Sequence, residues 1–394
     1  MRDKLLMKLL GGALGASLMS SALAAPAPEI KLGLVTTLTT SAAAGGEATK
    51  EGIELAIEQL GSKMGGIPVK LLVEDDGLNP ALGKQKTEKL ILQDRVDFLV
   101  GYNYSNVLLA AYKAAADNKT FLLSTNAGPG ILAGKQCNPY FFITRDQTEQ
   151  APRVLGEELN RKGIKRIYTL APNYVAGKEM VGGMLSTFKG ETVGQDFTKW
   201  PDQLDFSSEI AKIKAANPDA AYIFYPPAHA LQFVAQYQQA GLKDKIPLYS
   251  NYTFDGLTLP QLGELADGSL MTLFWSSDLD NAANRRFVDG YKKKFGREPS
   301  NFAASAYDAV MLIDSAVRNV KGELGDKAKI QAALEAANFE SVRGKFKFGK
   351  NHFPIQDFYL LKVAKANDGT YTTKVVSTAA KDDVDTYVNE CQMK

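Results

Sequence analysis

Short apolar runs separated by amphipathic stretches of about ten to fifteen residues recur along this chain, and the rhythm begins again after Arg145. Such alternation builds βαβ units with a parallel sheet, which confines the chain to an α/β architecture. In the first set, residues 31–35 read as a strand, and Ile53, Ala56, Ile57 and Leu60 then follow the i, i+3, i+4, i+7 spacing of a helix. Residues 69–73 form the next strand, stopped by Glu74-Asp75-Asp76-Gly77, after which Asn79-Pro80 supplies a cap and a first-turn proline. Strands over 98–101 and 120–123 flank a helix with Leu108, Ala111, Tyr112 and Ala115 on one face. After Arg145, helices over 151–162, 178–188, 206–216 and 230–240 alternate with strands over 166–170, 192–197, 220–225 and 246–249. A strand over 270–275 precedes helices over 281–295 and 300–317, and the tail reads as strands over 345–348, 357–363 and 372–376. No Pro/Ser-rich linker separates the two sets, so the expected fold is two lobes joined by a hinge.

The amino terminus sets the compartment. Arg2, Lys4 and Lys8 lead into an apolar run over 9–23 that closes on Ala22-Leu23-Ala24, the pattern of a secretory signal peptide over residues 1–24. Glycines and serines dilute that run and no cationic stop-transfer cluster follows, so a retained anchor is the weaker reading. Cleavage after Ala24 leaves about 370 residues, enough for two domains. Export removes the chain from ATP and NAD and favours binding or hydrolysis over cofactor chemistry. Hydrophobic residues are 45% and charged residues 23%, which supplies a core without metals or staples. The net charge of +2 is carried by the leader, so the mature chain is near neutral and offers nothing to nucleic acid or an acidic membrane. Nor does a second apolar run reach the roughly 18 residues that spanning needs, so no membrane insertion is expected after cleavage.

The catalytic inventory is thin. His229 and His352 are the only histidines, neither at a metal-binding spacing, and each reads as a surface or partly buried side chain. There is no G-x-S-x-G elbow. Gly128-Pro129-Gly130-Ile131-Leu132-Ala133-Gly134-Lys135-Gln136 fails both phosphate-loop templates and reads as a turn. Cys137 and Cys391 are the only cysteines; in an exported chain a disulfide is the first reading and two unrelated thiols the alternative. Such a bond would close a long loop, a constraint worth roughly 3 to 5 kcal/mol.

The carboxyl ends of the expected strands carry polar and aromatic residues, at 36–41, 102–105, 124–127, 173–174, 226–227 and 251–255. Open α/β sheets bind ligands at that edge. Ser105 stands just before a helix, so its hydroxyl and the first helical N–H groups would converge on an anion, a carboxylate being the natural guest. Ser124, Thr125 and Asn126 offer further donors. The competing reading is that Ser105 only caps its helix. Tyr102, Tyr104, Tyr174, Tyr225, Tyr252 and Phe254 make this edge aromatic, which suits a flat apolar body with a polar end, although some of these rings are expected to pack inside the lobes.

In order and spacing these segments resemble a known family, the type I periplasmic solute-binding proteins of ATP-driven importers, in the leucine/isoleucine/valine branch. The carriers are Ile30-Lys31-Leu32-Gly33-Leu34, Gly46 to Gly52 before Ile53-Glu54-Leu55-Ala56, Asp75-Asp76, and Val100-Gly101 with Ser105. They continue with Asn138-Pro139-Tyr140-Phe141-Phe142 and Arg145, Asn173-Tyr174-Val175-Ala176-Gly177, Asp205-Phe206 and Ala240-Gly241-Leu242.

The resemblance implies two Rossmann-like lobes with parallel sheets that hinge around a ligand, crossing over near Asp146, Asp278 and Pro354. The N-terminal lobe is then 25–146 plus 279–354, the C-terminal lobe 147–278 plus 355–378, and a tail over 379–394 is fastened to the N-terminal lobe. It further implies a periplasmic monomer with no catalysis and no cofactor, a membrane permease as partner, and a carboxylate held by Ser105 and the Thr125–Ala127 loop while Tyr174 closes from the second lobe. The chain departs from the amino-acid binders where they place an acid for the ligand ammonium, since Tyr252 stands there; Asp255 is the substitute. The expected ligand-binding set is Tyr102, Ser105, Thr125, Asn126, Ala127, Tyr174, Tyr252, Phe254 and Asp255, without a metal. Arg145 is open between hinge ion pair and ligand contact. Aromatic acids stand slightly ahead of branched-chain amino or keto acids as the guest. A sensor of the same fold, and more remotely an exported α/β enzyme, are the rival functions.

Overall fold

The computed structural model describes residues 29–393, so the leader expected over residues 1–24 lies outside the described residues. The first part runs β1 (Ile30–Thr36), α1 (Ala43–Gln59), β2 (Lys63–Met64), β3 (Ile67–Asp75), α2 (Pro80–Leu92), β4 (Phe98–Gly101), α3 (Ser105–Asp117), β5 (Phe121–Ser124), α4 (Gly130–Ala133) and β6 (Phe141–Ile143). It continues with α5 (Gln150–Arg161), β7 (Arg166–Pro172), α6 (Val175–Thr187), β8 (Glu191–Thr198), α7 (Ser207–Ala216), β9 (Ala220–Ile223), α8 (Pro227–Gln239), β10 (Leu248–Ser250), α9 (Leu259–Leu262) and β11 (Leu270–Leu273). The last part holds α10 (Ala282–Phe295), α11 (Asn301–Asn319), α12 (Lys327–Glu335), β12 (Lys347–Phe348), β13 (Pro354–Lys365) and β14 (Tyr371–Asp383).

Two sheets result. The first has the order β2-β3-β1-β4-β5-β6 and is parallel except for the β2–β3 hairpin, whose Gly65-Gly66 turn has both φ angles positive, at 56° and 85°. The second has eight strands, β12-β13-β11-β10-β9-β7-β8 with β14 on β13; β7 to β11 pair in parallel and the last three strands are antiparallel. Although they follow β11, α10 and α11 pack on α1 of the first lobe, whereas β13 returns to the second sheet. The chain therefore passes between lobes three times before β13 and once more in its tail, and the carboxyl ends of both parallel sheets face one cleft. In each lobe a helix crowds the end of the preceding strand: a Cβ on Gly46 would lie 1.7 Å from the Thr37 carbonyl oxygen, and one on Gly177 1.9 Å from that of Pro172. Only glycine fits at such an approach.

Arg343 rivets the crossing points. It is buried, ion-paired with Asp308 at 3.2 Å, and its guanidinium donates to the carbonyls of Thr144 and Arg145 and to Gln356 Oε1. Gln356 Nε2 also donates to the Arg145 carbonyl at 2.9 Å, so β13 is tied to the segment leaving β6.

Beyond the two- to four-residue pieces β2, α4 and α9, three elements differ from the sequence reading. β6 is a three-residue strand and α12 a nine-residue helix, both too short for a periodicity to register. β14 runs to Asp383, past 379 where the tail was expected to begin, because its pairing with β13 holds despite a largely polar sequence and several register shifts. The remaining tail returns to the first lobe, where Cys391 is disulfide-bonded to Cys137 and the Tyr387 ring lies against Gly130.

Candidate functional site

The loop after β4 decides which tyrosine enters the cleft. Gly101 and Tyr102 both have positive φ, 113° and 64°, a strained backbone for a bulky residue. The chain reversal sends the Tyr102 ring into the first lobe, where its hydroxyl meets Thr87 Oγ1 at 2.8 Å. Tyr104 faces the cleft instead, its hydroxyl donating to the Ala42 carbonyl at 3.1 Å. Ser105 is the first residue of α3 rather than its cap, and among the described residues its buried Oγ has no hydrogen-bond partner. The unpaired N–H groups and the dipole of a helix start make this an anion-binding geometry.

The loop after β5 braces this one. Thr125 donates to the Gly101 carbonyl through both N–H (2.9 Å) and Oγ1 (3.3 Å), and the Ala127 N–H donates to the Tyr102 carbonyl at 3.1 Å. Asn126 Nδ2 donates to the Asn103 carbonyl at 2.6 Å, while its own side-chain oxygen accepts from Arg145 Nη1 at 2.6 Å.

Arg145 lies at the first crossover. Its guanidinium sits 3.6 Å above the centre of the Tyr252 ring and pairs with Asp146 at 3.3 Å. Asp146 accepts the Tyr252 hydroxyl at 2.5 Å; burial pushes this carboxyl up, against the pull of Arg145 and of that bond. Tyr252, like Tyr102, follows a strand with positive φ, at 62°.

The second lobe contributes an aromatic stack. Tyr174, at the start of α6, lies 5.1 Å from Trp200 with the rings 17° apart, and Tyr104 meets both across the cleft at 6.4 and 5.6 Å. Burial raises the Tyr174 hydroxyl pKa, and the charge of Arg145 opposes it, so the hinge arginine is within electrostatic reach. Behind Trp200 stands His229, 4.9 Å away, whose Nε2 donates to the Pro201 carbonyl at 2.7 Å and whose pKa is held down by burial. Among the described residues Trp200 Nε1 and His229 Nδ1 have no hydrogen-bond partner.

A family model described as periplasmic binding protein matches residues 29–370. The chain belongs to that family. Leu/Ile/Val-binding protein homolog 6 of Brucella melitensis biotype 1 is 28% identical over 373 residues, covering 92% of this chain and 94% of the relative. The solute-binding protein of an ABC transporter from R. palustris, solved with benzoate, aligns with a TM-score of 0.87 at 32% identity, covering 93% of this chain and all of that one. The branched-chain amino acid binding protein LivJ of Streptococcus pneumoniae, solved with isoleucine, aligns with a TM-score of 0.79 at 25% identity, covering 89% and 99%. These relatives are solute-binding proteins of transporters, not enzymes.

In this periplasmic binding protein the cleft thus unites Ser105, Asn126, Tyr174 and Tyr252 from the expected set. Tyr102 and Phe254 do not join them: Tyr102 is turned inward, and Phe254 is fully buried in the core. Tyr225 likewise packs on Phe206 and Phe233 within its lobe. Thr125 and Ala127 spend the donors expected for a carboxylate on joining the two loops. Asp255 is buried with its carboxylate accepting from Asn301 Nδ2 of the other lobe at 2.7 Å and from the Leu257 N–H at 2.9 Å, and burial pushes it up to about 6. It is a bond between lobes rather than a free carboxylate. Of the two roles left open for Arg145, the structure shows the ion pair at the crossover, made with Asp146. Trp200 was missed, although it follows a strand end as the other cleft residues do; His229 was set aside as a metal ligand and lies instead behind the aromatic stack.

Proposed function

We propose that this solute-binding protein captures a small carboxylate, an aromatic acid ahead of a branched-chain amino or keto acid, and presents the closed form to a membrane permease. The observation that carries the reading is the Ser105 hydroxyl at the start of α3, buried and without a partner among the described residues. An unmet buried hydroxyl costs on the order of 1–3 kcal/mol, which a carboxylate oxygen would recover. Tyr104, Tyr174 and Trp200 supply flat apolar walls beside it. The acid expected to take an ammonium group, Asp255, is committed to Asn301, and Asp146 to Arg145 and Tyr252. Ligand contacts from both lobes would shift the hinge toward closure by as much as they differ between open and closed states.

The test is a thermal-shift screen of the chain from Ala25 onward, refolded to strip carried ligand, against benzoates, leucine and keto acids. A binder at a hundred times its Kd adds about 2.7 kcal/mol. A shift with benzoate, weakened at least tenfold in affinity by Ser105→Ala while the unliganded melting temperature stays within a few degrees, supports the reading. A shift with leucine alone removes the aromatic preference, and silence across the panel removes the carboxylate.

A further inference from the structure

The tail joins the lobes at a point where three crossings already suffice for a hinge. β14 ends in the second lobe, where Asp383 pairs with Arg153 and accepts from Gln150 Nε2 at 3.1 Å, both on α5. Two residues later the chain is anchored to the first lobe. Asp385 is buried and accepts from Asn351 Nδ2 at 2.9 Å, and the same nitrogen donates to the Ala133 carbonyl of α4 at 2.9 Å. Two residues of chain span at most about 7 Å, so there is no slack between these anchors. The segment then closes on the first lobe covalently, through the buried Cys391 and its disulfide to Cys137.

Tyr387 lies between the two first-lobe anchors. Its N–H is held by Asp385 Oδ1 at 2.9 Å, and its ring sits so close to Gly130 that a Cβ there would lie 2.8 Å from two ring carbons. Its hydroxyl, however, donates to the Glu149 carboxylate, 3.0 and 2.9 Å from its two oxygens. Glu149 is fixed in the second lobe, its backbone pressed on α6, where a Cβ on Gly183 would stand 2.7 Å from the Glu149 carbonyl oxygen. A ring seated on one lobe therefore holds a carboxylate seated on the other. We infer that the tail is a latch across the hinge, set by the Cys137–Cys391 disulfide and fastened by the Tyr387–Glu149 bond, which favours the closed form from outside the cleft. A bond made only when the lobes are together stabilises the closed state alone and so raises affinity for a guest it never touches. The disulfide contributes by removing freedom that a loose tail would lose each time the bond formed. The latch acts on closure and not on the identity of the guest.

Calorimetric titration with benzoate is the experiment, on the chain from Ala25, on Tyr387→Phe, on Cys137→Ser with Cys391→Ser, and on all the substitutions together. Tyr387→Phe keeps the ring on Gly130 and keeps the disulfide but removes the bond, and its affinity should fall at least about fivefold. The cysteine pair should also weaken binding, and adding Tyr387→Phe to it should cost little more, because the disulfide acts through the tyrosine. A smaller fall in Tyr387→Phe overturns the inference, above all if its melting temperature drops, the mark of a purely structural contact. Losses that add in full when the substitutions are combined overturn it as well. If benzoate does not bind the unsubstituted chain, the carboxylate reading fails by itself, and the latch is judged by small-angle scattering of the unliganded proteins: a larger radius of gyration in Tyr387→Phe supports it, and an unchanged one overturns it.

Discussion

Glu179 should make closure of this protein sensitive to protons. It lies on α6 of the second lobe, yet its Oε1 accepts the backbone N–H of Gly130 from the first lobe at 2.9 Å. Its Oε2 is buried and, among the described residues, has no hydrogen-bond partner. Around it stand Thr148, Tyr174 at the start of its own helix, Glu149 at the start of α5, and Tyr387 of the tail, whose hydroxyl donates to Glu149 at 2.9 Å. Burial pushes Glu179 up to about 7; the bond from the Gly130 N–H and the nearby Thr148 hydroxyl oppose this, and the neighbouring Glu149 adds to it. When the lobes part, the side chain returns to water and to an ordinary carboxylate value near 4.5.

Closing therefore takes up a proton between those two values. The sign follows: with its pKa raised in the closed form, Glu179 favours closure fully below about pH 4.5 and loses that contribution as pH rises through about 7. Between pH 8 and pH 6 the linkage amounts to about a tenfold gain in affinity, or about 1.4 kcal/mol. Benzoate titrations followed by tryptophan fluorescence at pH 8, 7 and 6 would measure it. Glu179→Gln keeps an acceptor for Gly130 and removes the titration, so its affinity should be nearly flat over this range. Asp255, also buried between lobes, titrates in the same direction, and the comparison with Glu179→Gln separates the two. A wild-type affinity that is flat or falls toward pH 6, or a slope undiminished in the variant, would refute the reasoning.

Other outcomes follow from the same structure. The denatured, unreduced protein should show no free thiol, and Cys137→Ser with Cys391→Ser should lower stability by about 3 to 5 kcal/mol in urea titration, since the bond joins residues 254 apart in sequence; two reactive thiols in the native chain would contradict it. Arg343→Met should cost about 3 to 5 kcal/mol, because Asp308 is left buried without its counter-charge; an unchanged urea midpoint would show that the rivet is not structural.

Most of the fold was legible because it is periodic. Ile53, Ala56 and the apolar strands follow repeats of 3.6 and 2 that burial imposes on any amphipathic element, and the cap at Asn79 accepts from Ala81 and Leu82 as its sequence announces. β6, α12 and the far half of β14 were not legible, being short or polar and held by their neighbours rather than by their own pattern. Within the site, Ser105 and Tyr174 could be nominated because they sit where a strand gives way to a helix. Tyr102 was nominated by the same rule and failed, since a positive φ turned its ring inward and delivered Tyr104 to the cleft instead.

What the sequence determined by itself is therefore local and additive: the alternation of elements, the α/β class, the loops at which a ligand is met, and the pairing open to two cysteines. Which side chains in those loops remain free was decided only by tertiary structure. Thr125 and Ala127 are consumed between neighbouring loops, Asp255 is consumed between lobes, and Trp200 is brought over His229 by packing of segments remote in sequence. The physical reason is that a donor or acceptor is defined by its competitors, and those competitors are assembled only when the two sheets and the crossings between them come together.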